Sequence, residues 1–560
     1  MLVHTAKEMR RTLARRSLEH EADQYTDPWW REAVIYQIYP RSFLDASGDG
    51  AGDLVGITEK LDYLSWLGVD AIWLSPIYPS PMADFGYDVS DYTDIHPLFG
   101  TLSDFDRLLS QAHRLGLKVI LDFVPNHTSD EHPWFVASRS SRESPKRDWY
   151  IWRDSTPGGL PPNNWESYFG GSAWEWDELT GQYYLRLFTR KQPDLNWRNP
   201  EVRKAMYDVL RFWFGRGVDG FRIDVLWLLI KDERFRDNPD NPDWKEGDWL
   251  LNRQSRVYSG DRPEVHEVVR EMRLVADEYG DKVLIGEIYL PLERLLLYYG
   301  DDLKGVHLPF NFQLVTMEGW DAQTVRKLVD DYEVALPEGA WPNWVLGNHD
   351  VPRIATRVGA EGARLAAMLL LTLRGTPTLY YGDEIGMENV PVPPEMARDP
   401  QGRLFPGYGR DPVRTPMRWD TSPNAGFCRK GSAPWLPVGG DVERVNVETQ
   451  RDDPGSMLSL TRRLISLRQT TQALRSGSYE PAVGVPEGCL AFSRRLNEQE
   501  IFVALNFSAG EAEVPLPGAA DDRPWRVLLS TRGEDREGRE LCRAARLSGH
   551  EGLLLISDHS

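Results

Sequence analysis

The sequence predicts an α/β protein whose main domain is a (β/α)8 TIM barrel, with a small domain inserted after the third strand and an antiparallel β domain at the C-terminus. Three observations predict it. From Ala33 onward, short β-rich runs alternate with amphipathic helical stretches, the pattern of a parallel sheet covered by helices. The runs number eight: AVIYQIYP, DAIWLSP, KVILDFVPNH, GFRIDV, KVLIGEI, VHLPFNF, NWVLGNHD and TPTLYYGDE. Eight is the strand number of such a barrel. After a helix ending near Leu474, the character changes to alternating strands separated by turn residues, as in a separate antiparallel unit.

Each element follows from local chemistry. The stretches LSDFDRLLSQAHRLG after Thr101, PEVRKAMYDVLRFWFGRG after Asn199 and RPEVHEVVREMRLVADEYG after Asp261 carry helical apolar spacing and stop near a glycine. Roughly seventy residues rich in Pro, Gly, Trp and Asn separate the third strand from the helix near Pro200, too long for a plain loop. A second irregular segment, Met387 to Val438, follows the eighth strand and would sit at the mouth of the barrel. The runs GCLAFSRRL, EIFVALNFS, RPWRVLLS and GLLLIS are the C-terminal strands. The resulting boundaries are an N-terminal extension (1–28), the barrel (29–125 and 191–474), the insert (126–190) and a C-terminal β-sandwich (475–560). The extension, up to about Thr26, is polar and partly helical in character.

At 560 residues the chain exceeds what one core serves, and 41% hydrophobic with 27% charged residues is the balance of a soluble globular protein. A net charge of −20 repels polyanions, so nucleic acid is not an expected partner. Cys428, Cys489 and Cys542 are widely separated without metal-ligand spacing, which suits a reducing compartment. Neither a signal-peptide core nor an apolar run of about 18 residues occurs, so the expectation is a cytoplasmic protein without a membrane partner. The 21 Trp, 22 Tyr and 19 Phe suit sugar binding, although a large barrel buries many aromatics in any case. The oligomeric state is left open.

Three strand ends carry the chemistry: GVDGFRIDV, VLIGEIY and VLGNHD each end an apolar run with a carboxylate, Asp224, Glu287 and Asp350. A barrel delivers such side chains to one mouth. Two carboxylic acids flanking a glycosidic bond suffice to cleave it, one attacking the anomeric carbon and one protonating the leaving oxygen. Arg222, two residues before Asp224, points to the same side of the pleat and can hold that carboxylate ionised. A strand-end Asp is often only a helix cap, and a lone His is more often packed than a ligand.

Taken in order, DFVPNH (Asp122 to His127), GFRID (Gly220 to Asp224), GEI (Gly286 to Ile288) and NHD (Asn348 to Asp350) resemble the four core motifs of the α-amylase family of glycoside hydrolases. QPDLNW (Gln192 to Trp197) is similar to the oligo-1,6-glucosidase and α-glucosidase branch. The resemblance runs from about Trp29 to the end. It implies that Asp224 is the nucleophile, Glu287 the general acid and base, and Asp350 the carboxylate that stabilises the transition state. A retaining mechanism then needs Asp224 and Glu287 roughly 5 Å apart and a raised pKa on Glu287. His127 and His349 match histidines that bind sugar hydroxyls, Asp84 and Tyr87 the acid and aromatic platform of the pocket, and Arg410 the arginine that pairs with the acid. A clamp of Asp84 and Arg410 would close the pocket beyond one glucose and impose exo action.

The loop DASGDGAGD resembles the family's structural calcium or magnesium site, with Asp45, Ser47, Asp49, Asp53 and the carbonyl of Ala51 as ligands; Ser47 stands where Asn is common. No organic cofactor is implied. Val225 resembles the residue that accompanies α-1,6 preference, where Thr accompanies α-1,4; the plain alternative is a β-branched strand residue. The following LWLLIKDERFRDNPDNPDW does not match the oligo-1,6-glucosidases, which leaves the acceptor side open. The expected function is a retaining, exo-acting α-glucosidase on short oligosaccharides, α-1,6 favoured. The alternatives are a transglucosidase or isomerase such as a sucrose isomerase or trehalose synthase, or a non-catalytic relative like the heavy subunits of amino-acid transporters.

Overall fold

The computed structural model describes residues 27–246, 252–405, 407–518 and 523–558. The predicted N-terminal extension, up to Thr26, lies outside the described residues. The first barrel strands are β1 (Ile35–Ile38), β2 (Ala71–Leu74) and β3 (Lys118–Phe123). A small antiparallel sheet follows, of β4 (Trp152–Arg153), β5 (Trp174–Asp177) and β6 (Gln182–Leu185), before the helix Pro200–Arg216. The barrel continues with β7 (Gly220–Ile223), β8 (Val283–Ile288), β9 (Leu308–Asn311), β10 (Asn343–Val345) and β11 (Thr376–Tyr380). All eight predicted barrel strands are present and pair in parallel, in the order β10-β11-β1-β2-β3-β7-β8-β9. β9 and β10 pack side by side, so the sheet curls into a nearly closed barrel.

Strand alternation sorts the side chains into two sets. Ile35, Ala71, Trp73, Ile120, Val283, Ile285, Leu308 and Phe310 form a core inside the barrel. Their neighbours Tyr36, Ile72, Val119, Leu121, Phe221 and Leu284 face outward into the core shared with the helices. Continuing the inward series by two residues changes its chemistry, from Ile35 to Gln37, Ile120 to Asp122, Gly220 to Arg222 and Ile285 to Glu287. The apolar floor thus gives way to a polar layer at the C-terminal end.

The helices start and stop where their caps dictate. Thr101 closes a capping box with Asp104 at the head of Leu102–Arg114. Asn199 caps Glu201 N–H at the head of Pro200–Arg216, and Gly217, at φ 110°, takes the left-handed turn that ends it. Behind the barrel, β12 (Ser478–Pro481), β13 (Cys489–Leu496), β14 (Gln499–Asn506), β16 (Trp525–Ser530), β17 (Glu540–Leu541) and β19 (Gly552–Asp558) form a six-stranded antiparallel sheet; β15 (Ala512–Pro515) pairs with β18 (Ala544–Leu547). The four predicted C-terminal runs are β13, β14, β16 and β19. Of two buried arginines at the end of one barrel helix, Arg494 on β13 joins this unit to the barrel, while Arg468 belongs to the helix Met457–Thr470 of the barrel itself. Arg468 donates to the carbonyls of Leu371 and Leu373, and Arg494 to that of Thr372, satisfying the last turn of the helix Ile354–Thr372.

Gly220 is a barrel position with no room for a side chain. A Cβ there would meet Val283 Cγ1 and lie 2.6 Å from the Val283 carbonyl oxygen across the β7–β8 ladder. Gly220→Ala is expected to cost about 1–3 kcal/mol through overpacking. A lowered thermal unfolding midpoint checks this; an unchanged midpoint contradicts the tight approach.

Candidate active site

The barrel's C-terminal end opens into a cavity of about 1130 Å³, lined among others by Asp84, Tyr87, His127, Asp224, Val225, Glu287, Asp350 and Arg410. Asp224 follows the last residue of β7, and its N–H donates to Phe123 O at 2.8 Å, which fixes it against the end of β3. Glu287 is still within β8, and Asp350 stands in the turn after β10. The three predicted carboxylates therefore reach one mouth from three strand ends.

Arg222 lies directly beneath them, fully buried. Its Nη1 donates to Asp122 Oδ1 and Asp224 Oδ1, both at 2.8 Å, and its Nη2 lies 2.7 Å from Glu287 Oε1. The guanidinium packs over Trp73, 5.2 Å from the ring centre. Asp122, which sequence reasoning quoted in a motif without assigning it a role, completes this layer: its Oδ2 accepts from Tyr87 Oη at 3.1 Å and Trp73 Nε1 at 3.3 Å. Its place two residues beyond Ile120 on the inward face was the available signal. Burial lifts Asp122 to about 6 against the opposing pull of Arg222.

Burial also raises both Asp224 and Glu287. Arg222 opposes the rise in each; Glu287, Asp122 and Asp350 add to it at Asp224, whereas at Glu287 Asp350 adds to it and hydrogen bonds from Val225 N–H and with Asp224 oppose it. Two buried carboxyls displaced upward together titrate as a coupled pair. Asp350 behaves oppositely. Despite burial, the charges of Arg410, Arg414 and Arg222 hold it below the usual carboxylate range. Its Oδ1 accepts from Arg414 Nη2 at 2.8 Å and Arg410 Nη1 at 3.2 Å.

Val225 departs from expectation. It sits at φ 36°, ψ 44°, a left-handed conformation that is unusual for a β-branched residue. The turn aims its backbone N–H at Glu287 Oε2, 2.7 Å away. Its side chain still lines the cavity, but Val225 is a strained turn residue after the strand and not strand filler.

Arg410 and Asp84 form an ion pair. Arg410 Nη2 is 2.6 Å from Asp84 Oδ1 and 2.6 Å from Asp399 Oδ1. Asp399 also accepts from Arg410 Nε at 3.0 Å and its backbone N–H at 2.7 Å. Gln192 Nε2 approaches Asp84 Oδ2 at 3.2 Å. Asp399 and Arg414 were missed because they lie in the irregular segment after β11, where no periodicity marks a residue as inward.

The two histidines are placed differently from each other. His127 lines the cavity; its Nδ1 accepts from Asn126, and its Nε2–H donates to Tyr87 O at 3.1 Å. Burial lowers it to about 3, so the ring is neutral. His349 lies behind the wall, stacked on Tyr87 with ring centres 5.3 Å apart. Gln37 donates to its Nδ1 at 2.8 Å, and its Nε2 meets Tyr87 Oη at 2.6 Å. Both nitrogens of His349 thus have protein partners. Tyr87 serves as the link between His349 and Asp122, beyond being a platform. Burial holds His349 neutral.

The segment after Val225 docks on the insert: Asn163 and Asn164 donate to the carbonyls of Phe235 and Asn238, and Trp165 to that of Arg236. A buried pair, Lys231 and Asp194 at 2.7 Å, with Asn126 accepting from Lys231 at 2.7 Å, ties this segment to the ends of β3 and the insert. Tyr168, Phe169, Phe188, Trp227 and Tyr289 supply the aromatic part of the cavity wall.

The first loop organises itself through its acids. Asp45 accepts from Gly48 N at 2.5 Å and Gly50 N at 2.8 Å; Asp53 accepts from Ala46, Ser47 and Gly56 N–H; Asp49 accepts from Ala51 N at 2.9 Å. Among the described residues, no group of three or more acidic, His or Cys side chains converges as a metal site does.

Residues 37–477 match the alpha-amylase family, described as Alpha amylase, catalytic domain. A probable alpha-glucosidase of Rhizobium meliloti (strain 1021) is 44% identical over 507 residues, 87% of this chain and 91% of that protein. An oligo-1,6-glucosidase of Parageobacillus thermoglucosidasius is 40% identical over 92% of this chain and 96% of its own. The crystal structure of the alpha-glucosyl transfer enzyme XgtA superposes with a TM-score of 0.89 at 42% identity, covering 95% of this chain and all (100%) of that one. Together with the barrel and its converging carboxylates, these likenesses make the chain a member of the alpha-amylase family of glycoside hydrolases.

Proposed function

We propose that the protein is a retaining, exo-acting α-glucosidase that removes terminal non-reducing α-linked glucose from short oligosaccharides, with α-1,6 links favoured. The observation that carries this reading is the pairing of Asp224 and Glu287 over one buried arginine, in a cavity closed at one end by Arg410 and Asp84. In the reactive state Glu287 is protonated and Asp224 ionised. Asp224 attacks the anomeric carbon while Glu287 gives its proton to the departing glycosidic oxygen, leaving a glucosyl ester on Asp224. Glu287 then removes a proton from water, which displaces Asp224 and restores the α configuration. Asp350, kept ionised by its arginines, faces the positive charge that develops on the ring.

The Arg410–Asp84 pair supports exo action, because a chain cannot run through a closed end. Arg222 and His349 act by positioning: one orients the two carboxylates, and the other orients Tyr87. His127 and Asp84 offer neutral and anionic partners to hydroxyls. The methyl groups of Val225 on the cavity wall support the α-1,6 preference, since they offer no hydrogen bond to the acceptor sugar. Transfer to a second sugar is the alternative outcome at the same ester, favoured by the likeness to a glucosyl transfer enzyme and by a cavity larger than one ring needs.

Glucose release from isomaltose and maltose, measured side by side, tests the assignment. Isomaltose is expected to be cleaved faster, and Glu287→Gln to lower both rates roughly 10²–10⁴-fold. An unaffected variant contradicts the role of Glu287, and faster maltose cleavage contradicts that of Val225.

The first loop is proposed as the seat of a structural calcium or magnesium ion, because Asp45, Ser47, Asp49, Asp53 and the Ala51 carbonyl offer oxygen donors suited to a hard cation, although the three carboxylates do not converge on one point without it. Its carboxylates already bond backbone N–H groups of the loop, so the ion would tighten an existing turn and take no part in the chemistry. Chelator treatment is expected to lower the thermal midpoint, and added calcium to restore it; insensitivity to both contradicts the site. Three unpaired cysteines, two buried and one exposed, support placing the protein in the cytoplasm, and no helix among the described residues is long and apolar enough to cross a membrane.

A further inference from the structure

Beside the reaction cavity lies a second one, of about 1070 Å³, with the opposite electrostatic character. Six cationic side chains line it: Arg41, Arg186, Arg190, Lys191, Arg398 and Arg403. No Asp or Glu is among its lining residues. In a chain of net charge −20 this is an anomaly, because like charges gathered in a concave site repel unless an anion offsets them.

Two of the six have carboxylate partners. Arg186 lies 3.5 Å from Glu175, and Lys191 lies 2.9 Å from Asp130. Arg403 donates to the Ala397 carbonyl. Arg41 is held differently, against two rings that also touch each other: its guanidinium lies 5.1 Å from the Phe85 ring centre and 5.2 Å from that of Trp435, and the two ring centres are 5.5 Å apart. Such stacking orients a guanidinium and leaves its N–H groups free to bond in the ring plane. Burial, with the Arg398 charge nearby, lowers the Arg41 pKa, and Asp49 on the first loop opposes this without forming an ion pair. Arg190 and Arg398 are exposed at the rim.

We propose that this cavity binds a phosphate dianion, free or carried on a sugar, at a site separate from the reaction centre. Five guanidinium groups suit phosphate better than a monovalent carboxylate, because each can present two parallel N–H donors to oxygens of a tetrahedral dianion. The aromatic wall, Phe85, Phe169 and Trp435, supplies the flat apolar surface on which a sugar carrying that phosphate would pack. Phe169 is shared with the reaction cavity, and Arg398 is the chain neighbour of Asp399, which holds the Arg410 clamp. The two cavities are thus back to back across the clamp, with no lining carboxylate in common.

Calorimetric titration of the full chain at low ionic strength, with inorganic phosphate and with glucose 6-phosphate, tests the site. Saturable binding is expected for at least one probe, undiminished in excess glucose. Affinity is expected to fall at least about tenfold in an Arg190→Gln/Arg398→Gln double variant, since two charge-assisted contacts to the dianion are lost. Both positions are exposed, so the variant's thermal midpoint should match that of the parent. Tighter binding of glucose 6-phosphate would identify a sugar phosphate as the ligand, and equal binding the phosphate group alone. Absence of saturable binding, equal affinity in the double variant, or displacement by glucose would overturn the proposal.

Discussion

Everything at the mouth of this barrel depends on one buried cation. Asp122, Asp224 and Glu287 all lie in contact with Arg222, and none of them has water as an alternative partner of comparable access. Removing a carboxylate from water costs several kcal/mol after relaxation, so three together are untenable without a charge that cannot be neutralised. Arginine is the side chain whose proton stays bound under these conditions. The barrel supplies what the arginine needs: an inward position on β7, Trp73 beneath its face, Asp122 at the matching register on β3, and Glu287 on β8 two residues beyond its register partner Ile285.

The same layer separates the roles of the carboxylates by environment. Asp350 sits between Arg410 and Arg414 and is held below the usual carboxylate range, whereas Asp224 and Glu287 share one arginine with Asp122 and are raised by burial. Distinct protonation of neighbouring acids is what acid and nucleophile chemistry requires. The backbone contributes as well. Val225 is held in a conformation its side chain disfavours, and the return is an N–H aimed at Glu287. Strain of this kind persists where surrounding packing over-determines the turn.

The barrel was legible because its strands are apolar runs with helices between them, and its acids because they end those runs. Strand limits were less so: VLGNHD and DFVPNH read as strand, yet β10 stops at Val345 and β3 at Phe123, since the polar residues leave the ladder to form the mouth. Period-two alternation would have found Asp122, as it found Arg222. Asp399 and Arg414 carry no such signal, because the segment after β11 has neither strand nor long helix to impose a face. The short polar strands β12, β15, β17 and β18 were hidden for a related reason, lacking the apolar alternation that marks their neighbours. Nor could sequence reveal that both nitrogens of His349 are engaged by Gln37 and Tyr87, a contact made across three strands.

The central claim is that Asp224 and Glu287 work as a nucleophile and acid pair through a covalent intermediate. Following the anomeric proton of glucose by NMR during the first minutes of isomaltose hydrolysis tests it most directly. Two inversions at one carbon predict that α-glucose appears first and mutarotates to β afterwards. Initial release of β-glucose would mean a single displacement by water and would contradict the role given to Asp224.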